Sequence, residues 1–149
     1  MLKFLKYPIK VKKKNYIDKI FIKGFSQFKS FEYNVPGDIS SASFFIVLTL
    51  LAKKSKIIIE SVNVNKSRIG IITILNKMGA NIKLKNRNFY NGEEVADIHV
   101  KSSEKLKSIN CSPEFNSSAI DEFLIIFLVA AKAKGCLLYT SPSPRDSDQ

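Results

Sequence analysis

Cysteine, histidine and arginine are scarce in this chain, and each scarcity removes a class of function. Cys111 and Cys136 are the two cysteines and His99 is the one histidine. Neither cysteine has ligand-like neighbours, so neither a disulfide framework nor a zinc site is indicated. Of the 24 basic residues only Arg68, Arg87 and Arg145 are arginine, the rest being lysine. The formal charge of +11 therefore comes without the guanidinium forks on which base and phosphate readers lean, and it reads as a solvated surface before it reads as a nucleic-acid patch. Long apolar runs are missing too. The two longest, Phe44 to Ala52 and Phe123 to Ala131, fall well short of the roughly 20 residues of a membrane span. The start, Met1 to Lys6, is basic but meets Pro8 without an apolar stretch, which makes a poor signal peptide. No Walker loop, dinucleotide fingerprint, nucleophile elbow or metal motif is present. The expectation is a reduced, soluble, cytoplasmic protein with no membrane or nucleic-acid partner.

What is present organises itself around one corner. With 149 residues, 45% of them hydrophobic, the chain can fill one core or part of a larger one. In Val35-Pro36-Gly37-Asp38-Ile39-Ser40-Ser41-Ala42, Pro36-Gly37 punctuates the chain and Asp38 or Ser40 can cap a helix. Ile39 to Lys53 is apolar almost all round, so this helix is expected to be covered on more than one side. Upstream, a short helix over Met1 to Leu5, strands over Ile9 to Lys13 and Lys19 to Lys23, a polar connection over Gly24 to Ser30 and a strand over Phe31 to Val35 are expected. Downstream, Lys56 to Glu60 reads as a strand, and Asn65 or Ser67 as the cap of an amphipathic helix carrying Ile69, Ile72, Leu75 and Met78. Gly79 reads as that helix's stop. Strands over Ile82 to Lys85 and Val95 to Val100 flank a turn at Asn91-Gly92. The order is β-α-β-α-β-β.

The pattern then restarts. A shift of 79 residues lays Val47 to Lys53 over Ile126 to Lys132 with the apolar register intact, and a second buried helix runs through Phe123, Leu124, Phe127, Leu128 and Ala131. A repeat of about 70 to 80 residues exceeds the common solenoid units and implies duplicated α/β modules. The end, Thr140 to Gln149, has no apolar anchor and two prolines, the composition of a disordered tail.

Helix starts favour anions, and two clusters lie at expected helix starts. Asp121-Glu122 follows Asn116-Ser117-Ser118; acidic residues there suit the helix dipole and face water, or supply a carboxylate as general base. Asp38 faces the same choice, with capping the simpler role. Lys66-Ser67-Arg68 is either a phosphate cradle or a capping serine between two solvated cations. Gly92-Glu93-Glu94 and Asp97 read as a charged surface hairpin. Spacing alone goes no further than an α/β module with anion-prone helix starts.

Five blocks in sequence order carry a resemblance. Val35 to Phe45, Asn65-Lys66-Ser67-Arg68-Ile69-Gly70, Lys77-Met78-Gly79-Ala80-Asn81-Ile82, Gly92 to Ile98 and Ala119-Ile120-Asp121-Glu122-Phe123 closely resemble consecutive blocks of the bacterial 5-enolpyruvylshikimate-3-phosphate synthases. The resemblance covers Met1 to about Gly135. It implies an α/β fold of repeated β-α-β-α-β-β units, part of a two-lobed enolpyruvyl transferase: 1–33 ending the N-terminal lobe, 34–135 opening the C-terminal lobe, with one full unit over about 34–102 and a second begun over 107–135. It also implies transfer of the enolpyruvyl group of phosphoenolpyruvate to the 5-hydroxyl of shikimate 3-phosphate, with release of phosphate and no metal or organic cofactor. Small-molecule substrates and a monomeric complete enzyme follow from it. By motif, Asp121 matches the family's substrate-contacting proton acceptor. The family's Lys-Ser and Arg substrate contacts have no counterpart here, so about a third of such an enzyme is represented and the isolated chain is expected to be inactive. Residues 136–149 leave the family pattern and resemble translated sequencing-adapter sequence, which implies a non-native tail. The alternatives are a UDP-N-acetylglucosamine enolpyruvyl transferase of cell-wall synthesis, disfavoured by the Gly37 to Ala42 and Ile120-Asp121-Glu122 blocks, and a small basic nucleic-acid-binding protein.

Overall fold

The computed structural model describes residues 7–14, 17–24, 30, 32–135 and 138–139. The expected helix over Met1 to Leu5 and most of the Gly24 to Ser30 connection lie outside them. An antiparallel hairpin comes first, β1 (Ile9–Lys14) paired with β2 (Ile17–Ile22) from Ile9↔Ile22 to Lys14↔Ile17. Its strands are exposed on both faces apart from Ile9.

The main body is a three-stranded antiparallel sheet in the order β3 (Lys56–Asn63), β5 (Glu93–Lys101), β4 (Asn81–Tyr90). Strands β4 and β5 are joined by Asn91-Gly92, both at positive φ (51° and 80°), the two-residue turn whose twist matches that of the strands. The expected strand over Phe31 to Val35 is not formed by residues 32–35. Only Gly37 reaches the sheet, in a parallel bridge to Val62: its N–H donates to Ser61 O at 2.9 Å and its carbonyl accepts from Asn63 N at 2.8 Å. Pro36, just before it, has no N–H to extend the ladder.

Helix α1 (Ile39–Leu51) and helix α2 (Gly70–Lys77) join the sheet in one core with Val62, Ile82, Ile98 and Val100. Within it Ile46, Leu50, Ile71, Ile74 and Leu75 are buried completely or nearly so, each contributing about 1.5–3 kcal/mol. Buried Thr49 satisfies its hydroxyl on Phe45 O at 2.8 Å. Helix α2 stops at Gly79 as expected, with φ 92°. Gly79 N–H donates to Asn76 O and Ala80 N–H to Leu75 O, the paired bonds of a Schellman end. Its start differs from expectation. Ile69 precedes the first turn without a side-chain cap, because Asn65 Oδ1 is taken by Ser67 N and Oγ at 3.2 and 3.1 Å in the turn before the helix.

Beyond β5 the second module begins. Strand β6 (Asn110–Cys111) leads through a turn at Pro113–Phe115, helix α3 (Asn116–Ala119) and a turn at Ile120–Glu122 into helix α4 (Phe123–Lys132). Lys107 bridges Lys134 in parallel, and β7 (Leu138–Tyr139) pairs in parallel with β6. Strand, helix and parallel return thus recur as at Gly37, α1 and β3. The repeat is visible in burial as well: Val47 and Leu50 are buried on α1, and Ile126 and Val129, 79 residues on, are buried on α4. The expectation of cover on more than one side is met for α1, which packs on the sheet and on α4, but neither helix is covered all round. Leu124, Phe127 and Leu128 on α4, and Phe44, Phe45 and Leu48 on α1, are exposed, because the sheet and the neighbouring helix cover only part of each helix. Residues 136–137 and 140–149 lie outside the described residues.

Candidate functional site

Helices α1 and α4 are tied at both ends, and this places their starts side by side. At the N-terminal end Ser40 Oγ donates to Glu122 Oε1 at 2.5 Å; at the C-terminal end Lys132 Nζ donates to Leu51 O at 3.0 Å. The helices therefore run parallel, and the positive ends of both dipoles share one edge of the molecule.

Four charged residues gather there. Asp38 caps α1, with extended backbone (φ −82°, ψ 132°) and Oδ2 accepting from Ser41 N at 2.9 Å and Ser41 Oγ at 3.0 Å. The Ser41 backbone N–H holds its carboxyl below the ordinary value, with the Arg68 guanidinium adding in the same direction and partial burial opposing. Asp121 sits on the turn before α4 with an exposed carboxylate, and Arg68 Nη2 stands 3.6 Å from its Oδ2. Glu122, the next residue, is 4% exposed. Of the two alternatives open for this pair, facing water is met by Asp121 and not by Glu122, whose side chain turns inward to Ser40.

Arg68 is shared between two concavities. One of about 430 Å³ is lined by Tyr33, Pro36, Asp38 and Arg68 among others. A much smaller one is lined by Ser67, Arg68, Ser117, Ser118, Asp121 and Glu122. Of the Lys66-Ser67-Arg68 cluster, then, Arg68 faces the acidic groups, while Ser67 bonds back to Asn65. Close approach at Gly70 brings the α2 start up to this edge: a Cβ there would meet Ser118 Oγ at 2.5 Å and the Ser118 carbonyl carbon at 2.7 Å. Sequence reasoning missed the pairing of Arg68 with Asp121 and that of Ser40 with Glu122. Both contacts cross between modules, and no local spacing reports them. Chemically, the edge offers an exposed carboxylate beside a guanidinium at two helix starts, an arrangement that can hold an anion and accept a proton from a bound hydroxyl.

Other titratable residues stay apart from this edge. Asp97, on β5, accepts from Ser61 N at 2.9 Å and Asn86 Nδ2 at 2.7 Å, and these bonds hold its carboxyl below the ordinary value. Cys111 is buried, which pushes its thiol up, with Lys77 opposing. Among the described residues no group of three or more His, Cys, Asp or Glu could hold a metal ion, and no helix is long and apolar enough to cross a membrane.

Comparison with known proteins gives one answer. Residues 1–140 match the family model of EPSP synthase (3-phosphoshikimate 1-carboxyvinyltransferase). The 3-phosphoshikimate 1-carboxyvinyltransferase of Ruthia magnifica subsp. Calyptogena magnifica is 45% identical over 140 residues, covering 94% of this chain and 31% of that protein. The protein of the same name from Legionella pneumophila strain Corby is 49% identical over 102 residues, or 68% of this chain and 23% of that one. Among solved structures, EPSP synthase from Acinetobacter baumannii superposes with a TM-score of 0.79 at 36% identity, over 92% of this chain and 30% of that chain. This chain thus spans about a third of the length of the Ruthia magnifica and Acinetobacter baumannii proteins. On the family match and these identities, the chain belongs to the EPSP synthase family.

Proposed function

We propose that this chain is a segment of an enolpyruvyl transferase that moves the enolpyruvyl group of phosphoenolpyruvate to the 5-hydroxyl of shikimate 3-phosphate, and that Asp121 is the proton acceptor for that hydroxyl. The observation that carries the assignment of Asp121 is its placement: an exposed carboxylate at the shared edge of two helix starts, 3.6 Å from a guanidinium. Deprotonation during attack on phosphoenolpyruvate needs a positioned acceptor that substrate can reach. Asp38 is bound to Ser41 and Glu122 is buried, which leaves Asp121 as the accessible base. The hydroxyl oxygen bonds to the enolpyruvyl carbon that bears the phosphate as its proton passes to Asp121, and the terminal methylene carbon takes up a proton to become a methyl group; the methyl then gives up a proton as phosphate leaves, which regenerates the carbon–carbon double bond. Residues 1–33 would end one lobe and residues from 34 open the other, with the Pro36-Gly37 corner as the passage between them. A closing enzyme needs such a pivot. Most cations that meet the substrates' phosphates would come from the two-thirds of the fold outside this chain.

The test is a full-length chimera in which residues 1–135 replace the matching segment of the Ruthia magnifica relative. It is expected to turn over shikimate 3-phosphate and phosphoenolpyruvate, releasing phosphate. Asp121→Asn should lower kcat by about 10²-fold or more. A folded chimera without turnover removes the transferase reading; an Asp121→Asn variant with undiminished kcat removes Asp121 from it.

A further inference from the structure

Glu122 is a buried carboxylate that the proposed proton transfer does not use. At 4% exposure a charged group carries a desolvation penalty unless it is bonded, and its bond comes from Ser40 Oγ, 82 residues away in sequence. Ser40 lies in the first turn of α1, two residues after the capping Asp38. Glu122 closes the turn that carries Asp121. The bond therefore joins one acidic group's helix start to the other's. Among the described residues, the Asp121 carboxylate is held only by the exposed Arg68 pair at 3.6 Å, a weak restraint in water. Its backbone, one residue from a buried anchor, is the better-fixed part.

We propose that Ser40 and Glu122 form a latch between the two helix starts that positions Asp121, Glu122 acting as a positioning residue and not as a proton acceptor. This rests on the transferase reading above. Pinning residue 122 leaves Asp121 only its two side-chain torsions, and a base displaced by about 1 Å loses on the order of 10²-fold in rate. Glu122 accepts the Ser40 bond and takes no part in the substrate proton transfer. What the latch requires is an oxygen acceptor at that point, so glutamine serves and alanine does not.

Two measurements test it. In the 149-residue chain itself, Ser40→Ala should speed amide exchange at Asp121, Glu122 and Phe123 by about tenfold or more relative to Ile98 and Val100 in the sheet; unchanged exchange overturns the latch. In the full-length chimera, Ser40→Ala and Glu122→Ala should each lower kcat by about 10- to 100-fold with KM for phosphoenolpyruvate within about threefold. The double variant should lose no more than either single one. Glu122→Gln should restore kcat and leave the pH profile unmoved. A Glu122→Gln variant as inactive as Asp121→Asn makes Glu122 the base and overturns the proposal. Turnover in the unsubstituted chimera with a neutral Glu122→Ala overturns the latch alone, whereas a folded chimera without turnover overturns the transferase reading beneath it.

Discussion

At Asp38 one carboxylate closes the start of α1, and its protonation state is tied to that bond. The Ser41 N–H lowers its pKa from the ordinary 3.8. A group whose folded pKa is depressed stabilises the fold above its unfolded value and loses that contribution as pH falls through the lower, folded value. Replacing Asp38 by alanine should cost about 1 kcal/mol near neutral pH, as for other caps. Asp38→Asn, which keeps an oxygen acceptor without the charge, should be less stable than the parent near neutral pH, and the difference should shrink as pH falls through the lowered folded value of Asp38. Urea melts followed by far-ultraviolet circular dichroism would read both, and a difference that persists at the acid end would contradict the linkage. That Asp38 caps a helix was legible from Pro36-Gly37-Asp38 before an apolar run, because capping is a local interaction. The inward turn of Glu122 was not, because its partner lies in the other module.

Helix and strand ends here are set by a few residues with specific backbone demands. Gly79 ends α2 in the left-handed region, as its place after Met78 suggested. Gly70 has a different reason to lack a side chain: Ser118 backbone and side-chain atoms occupy the space a Cβ would take. Gly70→Ala should therefore destabilise by about 1–3 kcal/mol as an overpacked contact, although alanine is the better helix former. A thermal melt that rises with this substitution would show that the α2–α3 approach is loose. Strand β5 shows the same division between local and distant causes. Its partners β3 and β4 each carry a register shift, between Ile59 and Val62 and between Lys85 and Asn88, with Ser61 and Asn86 at positive φ. Asp97 stands between them and accepts a bond from each. The sequence marked Asp97 as ordinary hairpin charge, since period-two alternation reports which face a residue takes and not what it bonds.

At the scale of the molecule, the described surface keeps an apolar face that the core does not use. Leu48 and Phe44 on α1 and Leu124 and Leu128 on α4 line a groove of about 470 Å³, and Leu124 is 82% exposed. Apolar surface of this kind drives association when nothing covers it. The 149-residue chain should therefore self-associate at micromolar concentration, and Phe44→Glu with Leu124→Lys should reduce this; sedimentation velocity showing one monomeric species for the parent would refute it. The helices' apolar character all round was readable, and it implied cover on several sides; which sides are covered was a matter of what packs nearby. By itself the sequence determined most of the elements and their order, though not the strand expected over Phe31 to Val35, together with a cap at Asp38 or Ser40, the Gly79 stop, the Asn91-Gly92 turn and the repeat, because each rests on torsional preference or on periodicity within one segment. Tertiary structure alone decided that the starts of α1 and α4 meet, that Arg68 faces Asp121 and that Glu122 is buried on Ser40. Those contacts join residues tens of positions apart, and only the packing of one module against the next sets their distance.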